Sequence, residues 1–194
     1  MSVGLAFLFY GGFQIYKTNK LQEESLAEAK TIIERETTVD KANYESLFDA
    51  QKAAAEQFDP EHGETVGILH IPRLDAELPI IEGTHEDDLE RGVGHYKGTA
   101  YPLQDDQIVL SGHRDTVFRG MGELEIGDTF IVEMPYGEFT YEIVEFKIVD
   151  AEDRTIIRPT APDEVLTVTT CYPFHYVGNA PDRYIITALP KHMN

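Results

Sequence analysis

Short runs of aliphatic and β-branched residues recur from Glu64 to the end of the chain, and this pattern limits the fold more than any other feature. Branched side chains suit a pleated strand, whereas the glycines and prolines between the runs end it. The runs lie at residues 66–71, 78–81, 108–110, 129–134, 139–149, 166–170 and 184–188. About seven or eight short strands with such punctuation predict a mainly β domain, either a sandwich or a barrel.

Residues 17–63 have a different composition, rich in Glu, Lys, Gln and Ala, and they predict a helical stalk or linker before the β domain at 64–194. Apolar residues recur with helical spacing at Leu26, Ala29 and Ile33. Residues 37–39 form a weak point between two predicted helices, and Asp40 is a plausible N-cap of the second.

Residues 1–16 carry no charge and are rich in Leu, Phe, Ile, Val and Gly. A run of this length falls just short of the roughly 20 apolar residues that cross a bilayer. We interpret it as the remnant of an N-terminal membrane anchor, and a buried N-terminal core helix is the alternative.

The formal net charge of −19 excludes some classes of partner. Nucleic acids and anionic lipid surfaces are bound through clusters of Lys and Arg, which this chain lacks. We therefore expect no nucleic-acid partner and no polybasic membrane patch.

Cys171 is the only cysteine, and it directly follows the strand predicted at 166–170. A lone cysteine is often a small buried hydrophobe, but the end of a strand is a rigid mount facing open space. An unperturbed thiol has a pKa of about 8.5 and needs a base or a cation nearby to act as a nucleophile. His113 follows another predicted strand and Arg183 opens a third, so the three residues could converge on one cleft.

Three motifs around these residues resemble those of the sortases, the cysteine transpeptidases of Gram-positive bacterial surfaces. They are Ser-Gly-His113-Arg-Asp-Thr, Leu-Thr-Val-Thr-Thr-Cys171 and Arg183-Tyr-Ile-Ile, and Gly-Val-Gly-His95-Tyr-Lys-Gly-Thr also matches. The resemblance covers residues 64–191, and Cys-Tyr-Pro-Phe-x-Tyr-x-Gly-Asn-Ala-Pro-x-Arg is most similar to class D. Residues 102–107 depart from the family's usual turn, which has Pro-Gly and then Asn.

The resemblance implies a closed sortase-type β-barrel with short helices, working without a cofactor. It implies that Cys171 forms a thioester with the substrate, that His113 transfers protons, and that Arg183 stabilises the oxyanion. The substrates would be surface proteins with a C-terminal sorting motif of the Leu-Pro-x-Thr-Ala or Leu-Pro-x-Thr-Gly kind, and the acceptor a cell-wall precursor amine. The enzyme would be held in the cell membrane with its catalytic domain on the extracellular face.

Several alternatives stay open. Asp115 could orient His113 in a Cys–His–Asp triad, and His175 is a rival base. The chain could be a pilin-polymerising sortase, although Asp59-Pro60-Glu61 lacks the aromatic residue of an Asp-Pro-aromatic lid. It could also be a non-catalytic extracellular binding domain.

Two further expectations concern ligands. Ile156, Ile157 and Pro159 are apolar residues within an otherwise polar connection, and they could bind the Leu-Pro part of the substrate or plug the end of the barrel. One cysteine and scattered histidines show no zinc-ligand spacing, so we predict no metal site.

Overall fold

Eight strands close into a barrel in the computed structural model, which describes residues 2–36, 44–175, 178 and 180–191. The strand order around the barrel is β1-β2-β3-β4-β7-β8-β6-β5. The strands are β1 Thr65–Ile71, β2 Ala76–Glu82, β3 Val93–His95, β4 Gln107–Ser111, β5 Thr129–Met134, β6 Gly137–Asp150, β7 Val165–Tyr172 and β8 Asp182–Pro190. The helices are α1 Ser2–Glu36, α2 Tyr44–Glu56 and α3 Glu86–Arg91, with 3-10 turns at Pro72–Leu74 and Met121–Glu123. The prediction of a mainly β, closed barrel is therefore confirmed.

The barrel interior is filled by the alternate side chains of these strands. Along β5, every second residue is buried, which is the pattern of a strand with one face on a core. Tyr141, Phe118 and Phe130 are the largest of the fully buried side chains. Two neighbouring pairs, β2–β3 and β4–β7, are parallel, and the other pairs are antiparallel.

Strand β3 was not predicted, because two of the residues around it are glycines that look like a loop. Both glycines are required by close approaches of the backbone. A Cβ atom at Gly92 would meet the carbonyl oxygen of Pro79, and one at Gly94 would meet that of Gly83. The short helix predicted at 85–91 corresponds to α3.

Helix α1 lies against the barrel rather than apart from it. Ala29 and Ile33 pack with Ile68 of β1, and Lys30 forms an ion pair of 2.6 Å with Glu77 of β2. The helix continues without a break across the predicted boundary at residue 16. Among the described helices, none is both long and apolar enough to cross a membrane. The weak point at 37–39 and Asp40 lie outside the described residues, and the division into three segments stays a prediction.

Candidate active site

Three neighbouring strands bring His113, Cys171 and Arg183 into one row. Strands β4 and β7 are parallel, and Ser111 at the end of β4 pairs with Thr169. His113 lies two residues after Ser111, and Cys171 lies two residues after Thr169, so the two residues are neighbours. In the antiparallel pair β7–β8, Cys171 is directly opposite Arg183. Adjacent strands lie about 4.8 Å apart. The structure thus places the predicted cysteine between the predicted histidine and arginine.

The row lies in a cleft of about 770 Å³ on the outer face of these strands. Leu166, Val168 and Thr170 are buried, whereas Cys171 on the opposite phase of β7 is partly exposed. The cleft is lined by Thr84, Leu89, Tyr96, Val109, Ser111, Gly112, His113, Val149, Ala151, Asp153, Arg154, Ile156, Ile157, Thr167, Thr169, Thr170, Cys171, Arg183 and Ile185. Its floor is therefore the barrel wall, and loops together with Leu89 of α3 form its sides.

A buried hydrogen bond fixes the histidine loop to the cysteine strand. The hydroxyl of Thr170 donates to the carbonyl oxygen of Gly112 at 2.7 Å, and the Gly112 N–H donates to Thr169 at 3.2 Å. A Cβ atom on Gly112 would meet the side chains of Phe118 and Val117, so the residue before His113 must be glycine. These contacts hold His113 and Cys171 in register.

Arg114 adds a second tie that sequence reasoning missed. Its side chain is buried, and its guanidinium donates to the carbonyl oxygens of Pro173 at 2.9 Å and Gly178 at 3.2 Å. It therefore joins the loop after β4 to the turn after Cys171. An arginine in a turn is usually exposed, so no sequence signal marked it.

Arg183 is partly buried and keeps donors for a ligand. Its Nη1 donates to the carbonyl oxygens of Asp182 at 3.0 Å and Ala180 at 3.3 Å. Within the described ranges, no carboxylate forms an ion pair with its guanidinium. The remaining N–H groups can serve a developing negative charge in the cleft.

The two rival residues lie elsewhere. The Asp115 carboxylate is 73% exposed and 3.4 Å from Nε of Arg114, and it does not line the cleft. His175 is exposed in the turn that follows β7 and also lies outside the lining. In the described part of the chain, no hydrogen bond or ion pair joins either side chain to the imidazole of His113. The arrangement favours a row of Cys, His and Arg over a Cys–His–Asp triad.

Of the three residues predicted to bind substrate, two reach the cleft. Ile156 and Ile157 line one side of it, whereas Pro159 is exposed and does not. Gln107 holds this wall in place, since its Nε2 donates to the Ile156 carbonyl and its Oε1 accepts from the Arg158 N–H, both at 2.8 Å.

Asp106, beside Gln107, anchors the same connection further along. Its Oδ1 accepts N–H groups from Thr160 at 2.6 Å, Gln107 at 2.8 Å and Ala161 at 3.1 Å. These bonds, from Thr160 first, lower the pKa of the Asp106 carboxyl from its ordinary value. Residues 102–107, which depart from the family's usual motif, thus form a turn with positive φ at Leu103 and Asp105. This turn places Asp106 and Gln107 where they hydrogen-bond to the cleft wall.

His95, Glu82 and Tyr101 form a buried cluster apart from the cleft. His95 is buried, with Nδ1 2.6 Å from Glu82 and Nε2 3.0 Å from the carbonyl oxygen of Ala100. The Tyr101 hydroxyl donates to the same Glu82 oxygen at 2.6 Å. Burial alone would raise the pKa of the Glu82 carboxyl, but the hydrogen bonds from His95 and Tyr101 outweigh it and lower that pKa. These side chains bond to one another, and none of them lines the cleft.

Comparisons with known proteins match the chain to one family. The model of the sortase domain family matches residues 69–191. Sortase D of Bacillus subtilis is 53% identical over 186 residues, which is 96% of this chain and 92% of that protein. Sortase SrtE1 of Streptomyces coelicolor is 29% identical, over 89% of this chain and 51% of that protein.

Solved structures share the architecture. The Clostridium perfringens Sortase D5 transpeptidase superposes with a TM-score of 0.71 at 24% identity, covering 89% of this chain and 99% of that one. Sortase C1 of Streptococcus agalactiae gives a TM-score of 0.70 at 20% identity, covering 87% of this chain and all of that one, 100%. At these identities the likeness concerns the fold.

Proposed function

This chain belongs to the sortase family of transpeptidases, and we therefore propose that Cys171, His113 and Arg183 carry out its reaction on surface proteins destined for the cell wall. The observation that carries the proposal is the row formed by His113 just beyond the end of β4, Cys171 on β7 and Arg183 on β8, with the cysteine in the middle. All three residues line the cleft of about 770 Å³.

In the first half-reaction, the Cys171 thiolate attacks the carbonyl carbon of the substrate's scissile peptide bond. The carbonyl oxygen becomes an oxyanion, and the N–H groups of Arg183 that are not used by the backbone stabilise it. The imidazolium of His113 gives its proton to the departing amine as the C–N bond breaks. The product is a thioester between Cys171 and the N-terminal part of the substrate.

In the second half-reaction, an incoming amine attacks the thioester carbon. His113, now neutral, takes the proton from that amine, and Arg183 stabilises the second oxyanion. Collapse of the intermediate forms the new amide bond and returns the thiolate. Water in place of the amine gives hydrolysis.

The substrate and the acceptor follow from the family and from the cleft. We propose a sorting motif of the Leu-Pro-x-Thr-Ala or Leu-Pro-x-Thr-Gly kind, with its Leu-Pro part against Ile156 and Ile157. The acceptor is a cell-wall precursor amine. The enzyme is held in the cell membrane by the N-terminal region, with the catalytic domain on the extracellular face.

One observation favours cell-wall attachment over pilin polymerisation. Asp59 and Pro60 line a separate groove with Glu28 and Pro135 and are not part of the catalytic cleft. A segment in that place does not cover Cys171 as a lid would.

The test is a transfer reaction with a fluorogenic Leu-Pro-x-Thr-Ala peptide and hydroxylamine as the amine. We expect wild-type protein to release the C-terminal fragment when hydroxylamine is present and, in a parallel reaction without hydroxylamine, to show a thioester adduct on Cys171 by mass spectrometry. His113→Ala should abolish release, while His175→Ala, which removes an exposed histidine outside the cleft, is the matched control and should retain it. Release without any adduct on Cys171, or equal losses in the two histidine variants, would contradict the proposal.

A further inference from the structure

The fold brings together two histidines and an aspartate that are far from the catalytic cysteine. His62 lies in the linker after α2, His85 is the N-cap residue of α3, and Asp88 lies in the first turn of α3. One ligand atom from each can be chosen so that all three lie within 4.8 Å of one another. The spacing along the sequence predicted no metal site, because it does not show that His62 packs beside α3.

We propose that these three side chains bind a divalent transition metal of the zinc class. Two imidazole nitrogens and one carboxylate oxygen are a common zinc-ligand set, whereas calcium and magnesium prefer oxygen ligands alone. Ligand atoms around a tetrahedral zinc ion are about 3.3 Å apart, given bonds of about 2.0 Å. His62 Nε2 and Asp88 Oδ2 are already 3.6 Å apart, and the two imidazole rings have centroids 4.9 Å apart.

The backbone holds each ligand before any metal binds. The N–H of Gly63, next to His62, donates to the Glu82 carbonyl at 2.7 Å, and its own carbonyl accepts from Arg91. The backbone N–H of His85 donates to the Asp88 carboxylate at 2.9 Å. Hydrogen bonds of this kind orient the side chains that bind a metal.

Gly83 leaves the room that the cluster needs. It has a positive φ of 116°, and a Cβ atom there would meet both the Asp88 carboxylate and the His62 ring. Asp88 is buried, while His62 and His85 are exposed. The site therefore has one buried anchor and an open side through which an ion and a water ligand can enter.

A bound ion would tie the linker to the cleft. Thr84 and Leu89, the neighbours of His85 and Asp88 in sequence, both line the catalytic cleft. The metal would thus join the segment before β1 to the back of that cleft wall, which is a structural role and needs no part in peptide transfer.

The test is a zinc titration of the full chain by calorimetry, in the Cys171→Ala background so that the catalytic thiol cannot bind the metal. We expect saturable binding of one ion. His62→Gln and His85→Gln should each weaken it at least tenfold, since even the loss of an outer contact commonly costs that much. His70→Gln is the matched control, because His70 is partly buried against Glu133 on another part of the barrel and should leave the affinity unchanged.

A second readout is amide hydrogen exchange in residues 57–63 with and without zinc. We expect zinc to slow exchange there in the Cys171→Ala protein and to have no effect in the double variant with His62→Gln. No saturable binding at millimolar zinc, unchanged affinity in the His62 and His85 variants, or equal weakening in His70→Gln would overturn the proposal.

Discussion

His95 and His113 lie on the same barrel and have opposite surroundings. His95 is buried, and both of its ring nitrogens face acceptors, Glu82 and the carbonyl of Ala100. His113 is partly exposed at the cleft, and its ring makes no hydrogen bond to any residue in the described part of the chain. Both ring nitrogens of His95 are therefore occupied by partners within the protein. At His113 only the backbone is held in place, and the ring is available to a substrate.

The difference shows how the fold separates support from chemistry. Around His113 the contacts go to the backbone of Gly112 and to Arg114, so the main chain is rigid and the side chain stays available. A group that must exchange protons with a substrate needs an accessible ring, whereas a buried polar group needs every partner filled. Substitutions of Cys171, His113 or Arg183, the open row, should therefore affect activity. Substitutions of Glu82, His95 or Tyr101, the closed cluster, should affect stability.

The largest effect is expected for Cys171→Ala. Removal of the nucleophile should lower kcat/KM by at least about ten-thousand-fold, the scale seen when a covalent catalyst loses its attacking group. The midpoint of thermal unfolding should change little, because the thiol is partly exposed and bonds to no described residue. Peptide cleavage and calorimetric unfolding measure the two quantities, and a large loss of stability would place Cys171 with the closed cluster instead.

Arg183→Ala should come next, with kcat lower by about a hundredfold or more, the cost of one oxyanion donor. Arg183→Lys should remain badly impaired, because an ammonium lacks the planar fork of the guanidinium. Steady-state kinetics on both variants measure this. Full activity in Arg183→Lys would show that only the charge matters.

Glu82→Gln tests the closed cluster. The substitution replaces a charged acceptor of two short hydrogen bonds, and we expect it to lower the free energy of unfolding by about 2 kcal/mol with kcat nearly unchanged. The folded-state pKa of Glu82 is lowered. The stability that its carboxylate contributes is therefore present in full above the unfolded-state pKa, and it is lost as the pH falls through the folded-state pKa. The gap between wild type and variant should therefore shrink at acidic pH, below about 4.3.

Urea unfolding at neutral and acidic pH measures that gap. A gap that widens on acidification would contradict a lowered pKa for Glu82 in the folded protein. A large fall in kcat at full stability would mean that the closed cluster takes part in the reaction.

Ile157→Asp should raise KM for the peptide by about tenfold while kcat and stability change little, because a partly exposed isoleucine contributes roughly 1.5 kcal/mol of apolar contact. Pro159→Asp is the control, since Pro159 lies outside the cleft. Equal values of KM for the two variants would reject this wall as the substrate pocket.

The smallest effect is expected for Asp115→Asn, with kcat within about twofold of wild type, because its carboxylate is 73% exposed, lies 3.4 Å from Nε of Arg114 and does not line the cleft. If this variant were as damaged as Cys171→Ala, the triad would replace the row as the catalytic arrangement.

Most of the barrel could be predicted because its strands alternate or run apolar over several residues. Strand β3 could not, since the glycines that permit its close packing read as a loop. The cysteine, histidine and arginine were found through motifs and strand ends, which also predicted that the three residues converge, whereas the roles of His113 and Arg183 depended on the resemblance. Arg114, and the meeting of His62 with His85, could not be found, because both depend on contacts between segments far apart in the chain.

The parallel pairing of β4 with β7 has a consequence for how such an enzyme can change over generations. The partners Gly112 and Thr170 are 58 residues apart, yet the parallel ladder brings them into alignment and their hydrogen bond keeps them there. Insertions and deletions in the connecting segments can therefore reshape the rim of the cleft without moving His113 and Cys171 relative to each other. A single-residue deletion within β7 would instead turn Cys171 toward the interior, because successive side chains of a strand face opposite sides.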